Sequence, residues 1–481
     1  MTTVYELDRA LVRDLTSAVA PTPGEGERHE VSEHDDVQAA RMFASAAWST
    51  LAEPGDATAG HVTAALGADR ALSLLIESRT VPEWVAALRE PSEVDARGSG
   101  ASEIDEREVS SALERWRPRL ASRTVVASLR SAARIEARLL VPGTPDWPPV
   151  FDDLGPHAPL ALWVRGSLRA LAHPAGLVAI VGSRDATNYG EHVAMELASG
   201  LTDRGFAIVS GAAYGIDGMA HRAALVSGGI TVAYLAGGVD RLYPAAHHDL
   251  LLRVAASGAI VSELPCGTAP TKWRFLQRNR LIAAASQATV VVEAGRRSGS
   301  LNTAGHAAAL GRPLGAVPGP ITSSTSAGCH RLLREYDATC VTSAADVVEL
   351  VLGPSGSDPA PPLFDFEAVL HPAGASTPPP AAPSASSAVI MPGAERATAP
   401  TSSEVSPPAS ASVIEVVAAP VGAAANGDAV RVLDAMSKRT ARSADDIATR
   451  SGMSPRAVAA TLGVLLLDEV VRENAKGWVK R

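Results

Sequence analysis

The sequence is poor in cysteine and aromatic residues, and it has no long apolar run. Its three cysteines, Cys266, Cys329 and Cys340, are too few and too scattered for a disulfide framework or a zinc site. No stretch reaches the roughly 18 consecutive apolar residues of a membrane-spanning helix. The first residues, MTTVYELDRALVRDL, lack the apolar core of a signal peptide. We therefore expect a cytoplasmic protein without a metal site or a membrane segment.

The sequence has no excess of positive charge, since 43 Lys and Arg stand against 52 Asp and Glu and the net charge is −9 at pH 7. A protein of this sign does not coat nucleic acid indiscriminately, although a summed charge leaves room for a local basic groove. The length of 481 residues allows about two to four domains, each with its own core.

Residues 177–320 contain six short apolar runs, and stretches of helical length separate them. Each run ends in a turn that carries glycine or an acidic residue. Strands that alternate with helices are typical of a parallel sheet covered on both faces, where ligands bind beyond the carboxyl ends of the strands. The predicted fold class is therefore α/β with a mostly parallel sheet. The predicted strands are Leu177–Val181, Ala207–Val209, Thr231–Leu235, Ile260–Val261, Thr289–Val292 and Leu314–Val317.

Composition divides the rest of the chain. Residues 1–138 have helical apolar spacing interrupted by polar breaks. A proline-rich connector, 139–166, is expected to be extended and to begin a domain that ends at 352. Residues 353–427 hold 14 of the 34 prolines, and their composition predicts a disordered linker because it buries too little apolar surface to offset chain ordering.

The last segment, residues 428–481, has the outline of a winged helix. Helices are predicted at Ala429–Met436 and Ser443–Arg450, and Ser454-Pro455 opens a third helix that ends near Leu467. Glu469–Arg481 predicts a two-stranded wing. Ten basic residues against seven acidic ones give this segment a charge opposite in sign to that of the whole chain.

Two turns could hold an anion. Gly182-Ser183-Arg184 follows a predicted strand, so backbone N–H groups at a helix entrance and a bidentate guanidinium are available for a phosphate. Ser298-Gly299-Ser300 opens another helix in the same way. The alternatives are a tight turn with a salt bridge at the first site, and ordinary helix caps at the second.

Residues 210–221 combine small residues with two ionisable ones. Asp217 and His221 lie four residues apart on one helical face, so an acid–base or metal-binding pair is one interpretation. The interpretation we favour is a helix cap at Asp217 and a hydrogen-bonded histidine.

The most informative stretch is residues 262–286. Lys272, Arg274, Arg278 and Arg280 surround Trp273 and Phe275. Cations that alternate with aromatic rings suit single-stranded nucleic acid, since cations contact phosphates and rings stack on bases. The alternative is a solvated basic loop with aromatic residues packed inward.

Seven motifs follow one another along this part of the chain, namely VGSRDATNYG, SGAAYGID–AH, AGGVDRLYP, SELPCG, FLQRNRLIAAAS, VVEAGRRSGSLNTA and GRPLGAVPG. Together they resemble the DNA-processing protein A family (DprA, also called Smf) over about residues 139–350. The resemblance implies a Rossmann-like, doubly wound fold with a helical N-terminal region and a C-terminal winged helix. It also implies that the protein binds and protects single-stranded DNA, usually as a homodimer, and loads the RecA recombinase during natural transformation. No cofactor and no catalysis are implied.

The family's contacts with DNA come from its GSR motif, its SG turn, a lysine, a phenylalanine and its RNR segment. One departure is Leu276, where the family more often has proline. The winged helix is expected to contact duplex DNA or a protein. The matching residues of this chain are Gly182, Ser183, Arg184, Ser210, Gly211, Lys272, Phe275, Arg278, Asn279 and Arg280.

Two other functions compete with this interpretation. The first is a nucleotide-binding enzyme that cleaves the N-glycosidic bond of nucleoside monophosphates, with Glu263, Glu293, Asp217 and His221 as acid–base candidates. The sequence has no run that resembles PGGxGTxxE, which we would expect in such a hydrolase. The second is a sequence-specific regulator that acts through residues 428–481, but it gives the basic and aromatic loop no role.

Overall fold

The computed structural model describes residues 3–21, 33–90, 104–353, 421–474 and 477–481. The described residues up to 353 and from 421 onward belong to one compact unit. Most of the predicted linker, 353–427, lies outside the described residues, so its disorder stays a prediction.

The N-terminal region is helical, as the apolar spacing predicts. Its core contains Trp48, Trp84 and Trp116, which are almost fully buried. The rings of Trp48 and Trp116 meet edge to face with centroids 4.9 Å apart. The elements are a hairpin of β1 (Thr3–Val4) and β2 (Leu7–Asp8), then α1 (Arg9–Ser17), α2 (Glu33–Leu51), α3 (Ala57–Leu66), α4 (Ala68–Ile76), α5 (Val81–Arg89), α6 (Glu106–Trp116) and α7 (Ser122–Arg134).

A nine-stranded sheet forms the centre of the molecule, in the order β11-β10-β9-β5-β6-β7-β8-β4-β3. Strands β5 to β11 are parallel, whereas β4 is antiparallel to β8 and β3 is antiparallel to β4. The strands are β3 (Arg138–Leu140), β4 (Leu162–Gly166), β5 (Leu177–Val181), β6 (Ala207–Ser210), β7 (Thr231–Tyr234), β8 (Ala259–Ser262), β9 (Ala288–Val291), β10 (Leu314–Ala316) and β11 (Thr339–Cys340).

The strand order confirms the doubly wound α/β prediction. From β5 the chain proceeds to one side through β6, β7 and β8, and then returns to place β9 on the other side of β5. The order therefore reverses between β5 and β9, and a crevice opens there at the carboxyl ends of the strands. All five residues of β5 are buried, as expected for a strand covered on both faces.

Seven helices are described between β5 and the end of this domain, and apolar clusters pack on the two faces of the sheet. They are α8 (Asn188–Thr202), α9 (Ile216–Val226), α10 (His248–Ser257), α11 (Lys272–Ala285), α12 (Ser300–Ala309), α13 (Ala327–Glu335) and α14 (Ala344–Leu352).

The connector differs from the expectation of a merely extended, wrapped segment. Its two ends form β3 and β4 and extend the central sheet, with Leu139 opposite Trp163. A 3-10 stretch, Pro149–His157, lies between them. The sequence pattern does not predict these strands. The segment is rich in proline, and the apolar residues of β4 are buried on both faces and do not alternate with polar ones.

The C-terminal segment has the predicted winged-helix elements and its own core. These are α15 (Val421–Ala435), α16 (Ala444–Ser451), α17 (Pro455–Leu467) and an antiparallel wing of β12 (Val471–Asn474) and β13 (Gly477–Lys480). The first helix begins eight residues before the predicted start. Its core is a cluster formed by residues of this segment alone, including Val432, Ile447, Val458, Leu462 and Val471.

Candidate nucleic-acid interface

A cavity of about 690 Å³ lies where the strand order reverses. The turn after β5, the first half of α11 and the segment that leads into α12 form its walls. This is the edge at which doubly wound sheets bind ligands. Seven of the ten residues predicted to contact DNA line it, namely Gly182, Ser183, Arg184, Lys272, Phe275, Arg278 and Asn279.

Three exposed cations line the cavity, and one of them is Arg297. The other two, Arg184 and Lys272, are residues predicted to contact DNA. In the described part of the chain neither of them forms an ion pair with a carboxylate. They lie 88 positions apart in the sequence, and the fold brings both to one cavity. Both charges are therefore available to an anionic ligand.

Phe275 also lines the cavity and is half-buried. The Arg184 guanidinium carbon stands 5.0 Å from the centre of its ring, a cation–π distance. The ring of Tyr243 is tilted against Phe275 with centroids 5.7 Å apart. Arg184, the Phe275 ring and the exposed Tyr243 ring thus lie next to one another beside the cavity, an arrangement that fits stacked bases and their phosphates.

The residues of α11 reach the cavity because the helix begins at its rim. Thr271 caps the helix, and its side-chain oxygen accepts a hydrogen bond from the Arg274 N–H at 3.3 Å. Lys272 and Phe275 are three residues apart and lie on one face. The start of the helix therefore decides which cations of the basic stretch face the cavity.

Arg278 has a different environment from Lys272, since only 6% of it is exposed. Its Nη1 donates hydrogen bonds to the carbonyl oxygens of Gly211 and Tyr234 at 2.7 and 2.5 Å. Burial lowers its pKa to about 10, with nearby Asp217 acting in the opposite direction. Arg278 holds the turn after β6 in place and contributes one edge of the cavity.

Ser210 and Gly211, which were also predicted to contact DNA, are buried and do not line the cavity. The Ser210 hydroxyl donates to the Ile180 carbonyl at 2.7 Å. A side chain at Gly211 would place its Cβ 2.2 Å from Nη1 of Arg278. Asp217 accepts hydrogen bonds from the Gly211 and Ala213 N–H groups, so this turn is fixed from both sides.

The end of the RNR segment points away from the cavity. Arg280 is 3% exposed, and its guanidinium forms an ion pair of 2.8 Å with Glu263 and donates to the His157 carbonyl. Asn279 reaches the other way and donates to Gly299 and Asn302, both at 3.2 Å. It ties α11 to the start of α12.

The four acid–base candidates have other partners. Glu293 accepts hydrogen bonds from Thr187 and Thr325, and Glu263 pairs with Arg280. His221 is fully buried and bonded to Thr231, and burial lowers its pKa to about 3, so its imidazole is neutral. Asp217 alone among them lines the cavity.

Sequence reasoning missed Tyr243, which packs on Phe275 beside the cavity, and several residues that line the cavity, including Arg297 and Val430. Tyr243 belongs to the AGGVDRLYP motif, and an aromatic residue beside glycines and an acid was the available signal. Val430 belongs to α15 and also lines the cavity. The sequence held no signal for it, because only the folded chain brings the winged helix to α11.

In the described part of the chain, no helix is long and apolar enough to cross a membrane. No group of three or more His, Cys, Asp or Glu side chains there is arranged to hold a metal ion.

Comparisons with known families agree with the motifs. The sequence model described as DNA recombination-mediator protein A matches residues 138–352, and the model described as DprA winged helix domain matches 416–475. Together they match more than half of the chain. The chain belongs to the DprA family.

Curated relatives match the same domain of this DprA-family protein. Proteins described as DNA processing protein DprA from two Mycobacterium tuberculosis strains are 53% identical over 237 residues, which are 47% of this chain and 61% of each relative. The DprA protein of Streptococcus pneumoniae is 41% identical over 191 residues, 40% of this chain and 66% of that protein. The chain thus matches less than two thirds of these relatives' lengths.

Solved structures with the same family name are similar as well. The X-ray structure of DprA from Streptococcus pneumoniae is 28% identical, with a TM-score of 0.48, over 64% of this chain and 96% of that one. DNA processing protein A from Helicobacter pylori is 30% identical, with a TM-score of 0.41, over 45% of this chain and 96% of that one. The latter structure is described as showing the single-stranded DNA binding mode of that protein.

Proposed function

We propose that this protein binds single-stranded DNA in the cavity between β5 and β9 and acts as a recombination mediator. The observation that carries the proposal is that the exposed cations Arg184 and Lys272 line one cavity with the half-buried Phe275 ring, which Arg184 faces at a cation–π distance. Phosphates contact the cations and a base stacks on the aromatic residues, and neither interaction depends on sequence. The separate partners of Glu263, Glu293 and His221 favour binding over catalysis.

A charge reversal at Arg184 tests the site. The binding of a labelled oligo(dT) is measured by fluorescence anisotropy for wild type and Arg184→Glu, with Arg253→Glu as control, because Arg253 is exposed on α10 and away from the cavity. We expect a large loss of affinity for Arg184→Glu and near wild-type binding for the control. Wild-type affinity in a folded Arg184→Glu protein, or release of adenine from AMP by the wild type, would contradict the proposal.

The finer part of the proposal is that the protein protects incoming single strands and loads the RecA recombinase onto them during natural transformation. Membership in a family described as recombination mediators supports this step. The test is the rate at which RecA assembles on DNA that is already covered by a single-strand-binding protein. The wild type should accelerate assembly and Arg184→Glu should not.

A homodimer in the cytoplasm is the proposed working form. Light scattering on the full chain, with and without oligonucleotide, measures the mass of the particle. A monomer under both conditions would contradict this part alone and leave the DNA site untouched.

A further inference from the structure

The winged helix packs against the N-terminal turn of α11, beside the proposed DNA cavity. The Trp273 N–H donates a hydrogen bond of 3.2 Å to Oδ2 of Asp434. The guanidinium carbon of Arg431 lies 5.3 Å from the centre of the Trp273 ring. Gly427 also approaches this ring closely, since a Cβ added there would lie 3.2 Å from it. Trp273, between Lys272 and the rest of the basic helix, is therefore partly covered by α15.

A second contact joins the winged helix to the N-terminal region. Nε of Arg119 donates to the Thr449 carbonyl at 2.8 Å, and its Nη2 pairs with Glu53 at 2.6 Å. Arg274 of α11 pairs with the same carboxylate at 2.8 Å. The Gly452 Cα lies close to both partners, because a Cβ there would be 2.4 Å from Glu53 and 2.9 Å from Arg119.

The groups at these contacts are mainly polar, whereas the winged helix keeps its apolar residues in a cluster of its own. Separation of the winged helix therefore exposes charged and hydrogen-bonding groups, and its core stays buried. Interfaces of this kind permit relative domain motion. The predicted linker would keep the released winged helix near its docking site.

The docked residues have the chemistry of a nucleotide. The carboxylate of Asp434 lies at the N-terminal turn of α11, a helix of 14 residues, where the helix dipole and the first backbone N–H groups favour an anion such as a phosphate. The planar guanidinium of Arg431 lies over Trp273, where a base would stack. Val430 of the same helix lines the DNA cavity.

From these contacts we infer that single-stranded DNA and the winged helix compete for the N-terminal turn of α11. DNA that continues past Lys272 displaces Asp434 and Arg431, and Trp273 then becomes a base-stacking residue. Only molecules with a released winged helix bind this DNA, so the apparent dissociation constant is the intrinsic one divided by the released fraction. This inference rests on the proposed function.

The first experiment measures the affinity of the full-length protein for labelled oligo(dT). Asp434→Asn removes the charge with little change in shape, and Arg431→Ala/Asp434→Ala removes both contacts. The matched control is Arg456→Ala/Asp445→Ala, which removes one charge of each sign from exposed positions of the winged helix. We expect both docking variants to bind about threefold to tenfold more tightly, the size of one or two net polar contacts, and the control to bind as wild type.

Trp273→Ala then tests the new contact. Added to the Asp434→Asn protein it should abolish the gain in affinity, and alone it should change binding little. Unchanged or weaker binding in Asp434→Asn would overturn the inference and make the winged helix a wall of the DNA site. Lys272→Ala separates the two proposals, because wild-type affinity of this variant in both backgrounds would reject the cavity itself.

A second experiment observes release directly. Cys340 is exposed while Cys266 and Cys329 are buried, so a full chain with Arg439→Cys takes dyes at two known positions. Energy transfer between them should fall when oligo(dT) is added and should start lower in Asp434→Asn. Constant transfer at saturating DNA would overturn the inference whatever the affinities show.

Discussion

At the scale of single residues, the cations of the basic stretch have different roles. Lys272 is exposed and faces the cavity, Arg278 is buried and holds the turn at Gly211, and Arg280 is paired with Glu263. Removal of an exposed cation should change binding alone. Removal of a buried one should change stability as well, because its partner groups lose their hydrogen bonds.

Lys272→Ala should weaken the binding of all single-stranded sequences alike. If Lys272 neutralises one phosphate, the slope of the log affinity against log salt plot becomes shallower by about 0.7. Anisotropy titrations at several salt concentrations measure this slope. Arg253→Ala should keep the wild-type slope, and equal slopes in all three proteins would show that Lys272 contacts no phosphate.

Gly211→Ala should lower the free energy of unfolding by about 1–3 kcal/mol, the usual cost of overpacking a tight site. The new Cβ would meet the Arg278 guanidinium at 2.2 Å. Urea denaturation measures the change. The control is Gly305→Ala in α12, where the added Cβ meets nothing within 4 Å and alanine should stabilise the helix by roughly 0.5–1 kcal/mol. A destabilised control with a stable Gly211→Ala would reverse this account of the turn.

At the scale of elements, Glu53 connects three parts of the fold. It follows α2, its carboxylate is buried, and it pairs with Arg119 before α7 and Arg274 in α11. Burial pushes its pKa upward, yet the two guanidinium groups prevail and lower the pKa from 4.5 to about 2. The charged form of Glu53 therefore stabilises the folded chain.

This lowered pKa predicts a loss of stability in acid. The contribution of Glu53 is fully present above its unfolded pKa of 4.5 and is lost as the pH falls towards about 2. Glu53→Gln should be less stable at neutral pH by about 3–5 kcal/mol, because two buried cations lose their partner. It should also lose less stability than wild type between about pH 5 and pH 3. Urea denaturation at each pH measures both effects, with the exposed Glu114→Gln as control, and parallel pH profiles would exclude Glu53 as the cause.

The sequence predicted elements that stand out by local pattern and missed those that depend on distant partners. Leu177–Val181 is a run of buried apolar residues ended by a glycine turn, and it was predicted with its observed bounds. Leu162–Gly166 is equally buried, but a proline-rich neighbourhood hid it. Arg278 and Lys272 both lie in the same basic stretch, so only the fold shows which of these two cations is exposed. The docking of Val430 follows from long-range packing alone.

For the whole molecule, cleavage of the linker tests whether non-covalent contacts alone hold the winged helix to the rest of the protein. Dilute protease should cut first within about 354–420, because the composition of these residues predicts a disordered linker, and such a linker would lack protecting structure. The two fragments should then elute together at low salt and separately near 1 M salt, where the screening length is only about 3 Å. Gel filtration of the cut protein checks this. Separate elution at low salt would mean that the polar contacts of Arg119 and Asp434 are too weak to hold the winged helix.

The central sheet ends in very short strands, with three residues in β3 on one side and two in β11 on the other. Such edges offer few unpaired backbone groups to the sheet of another molecule. Crowding along a DNA strand raises the local concentration of a bound protein far above that in bulk solution. Short edges would keep neighbouring copies from pairing edge to edge and aggregating under that crowding. Bound copies should therefore dissociate from the DNA as readily as they bind it.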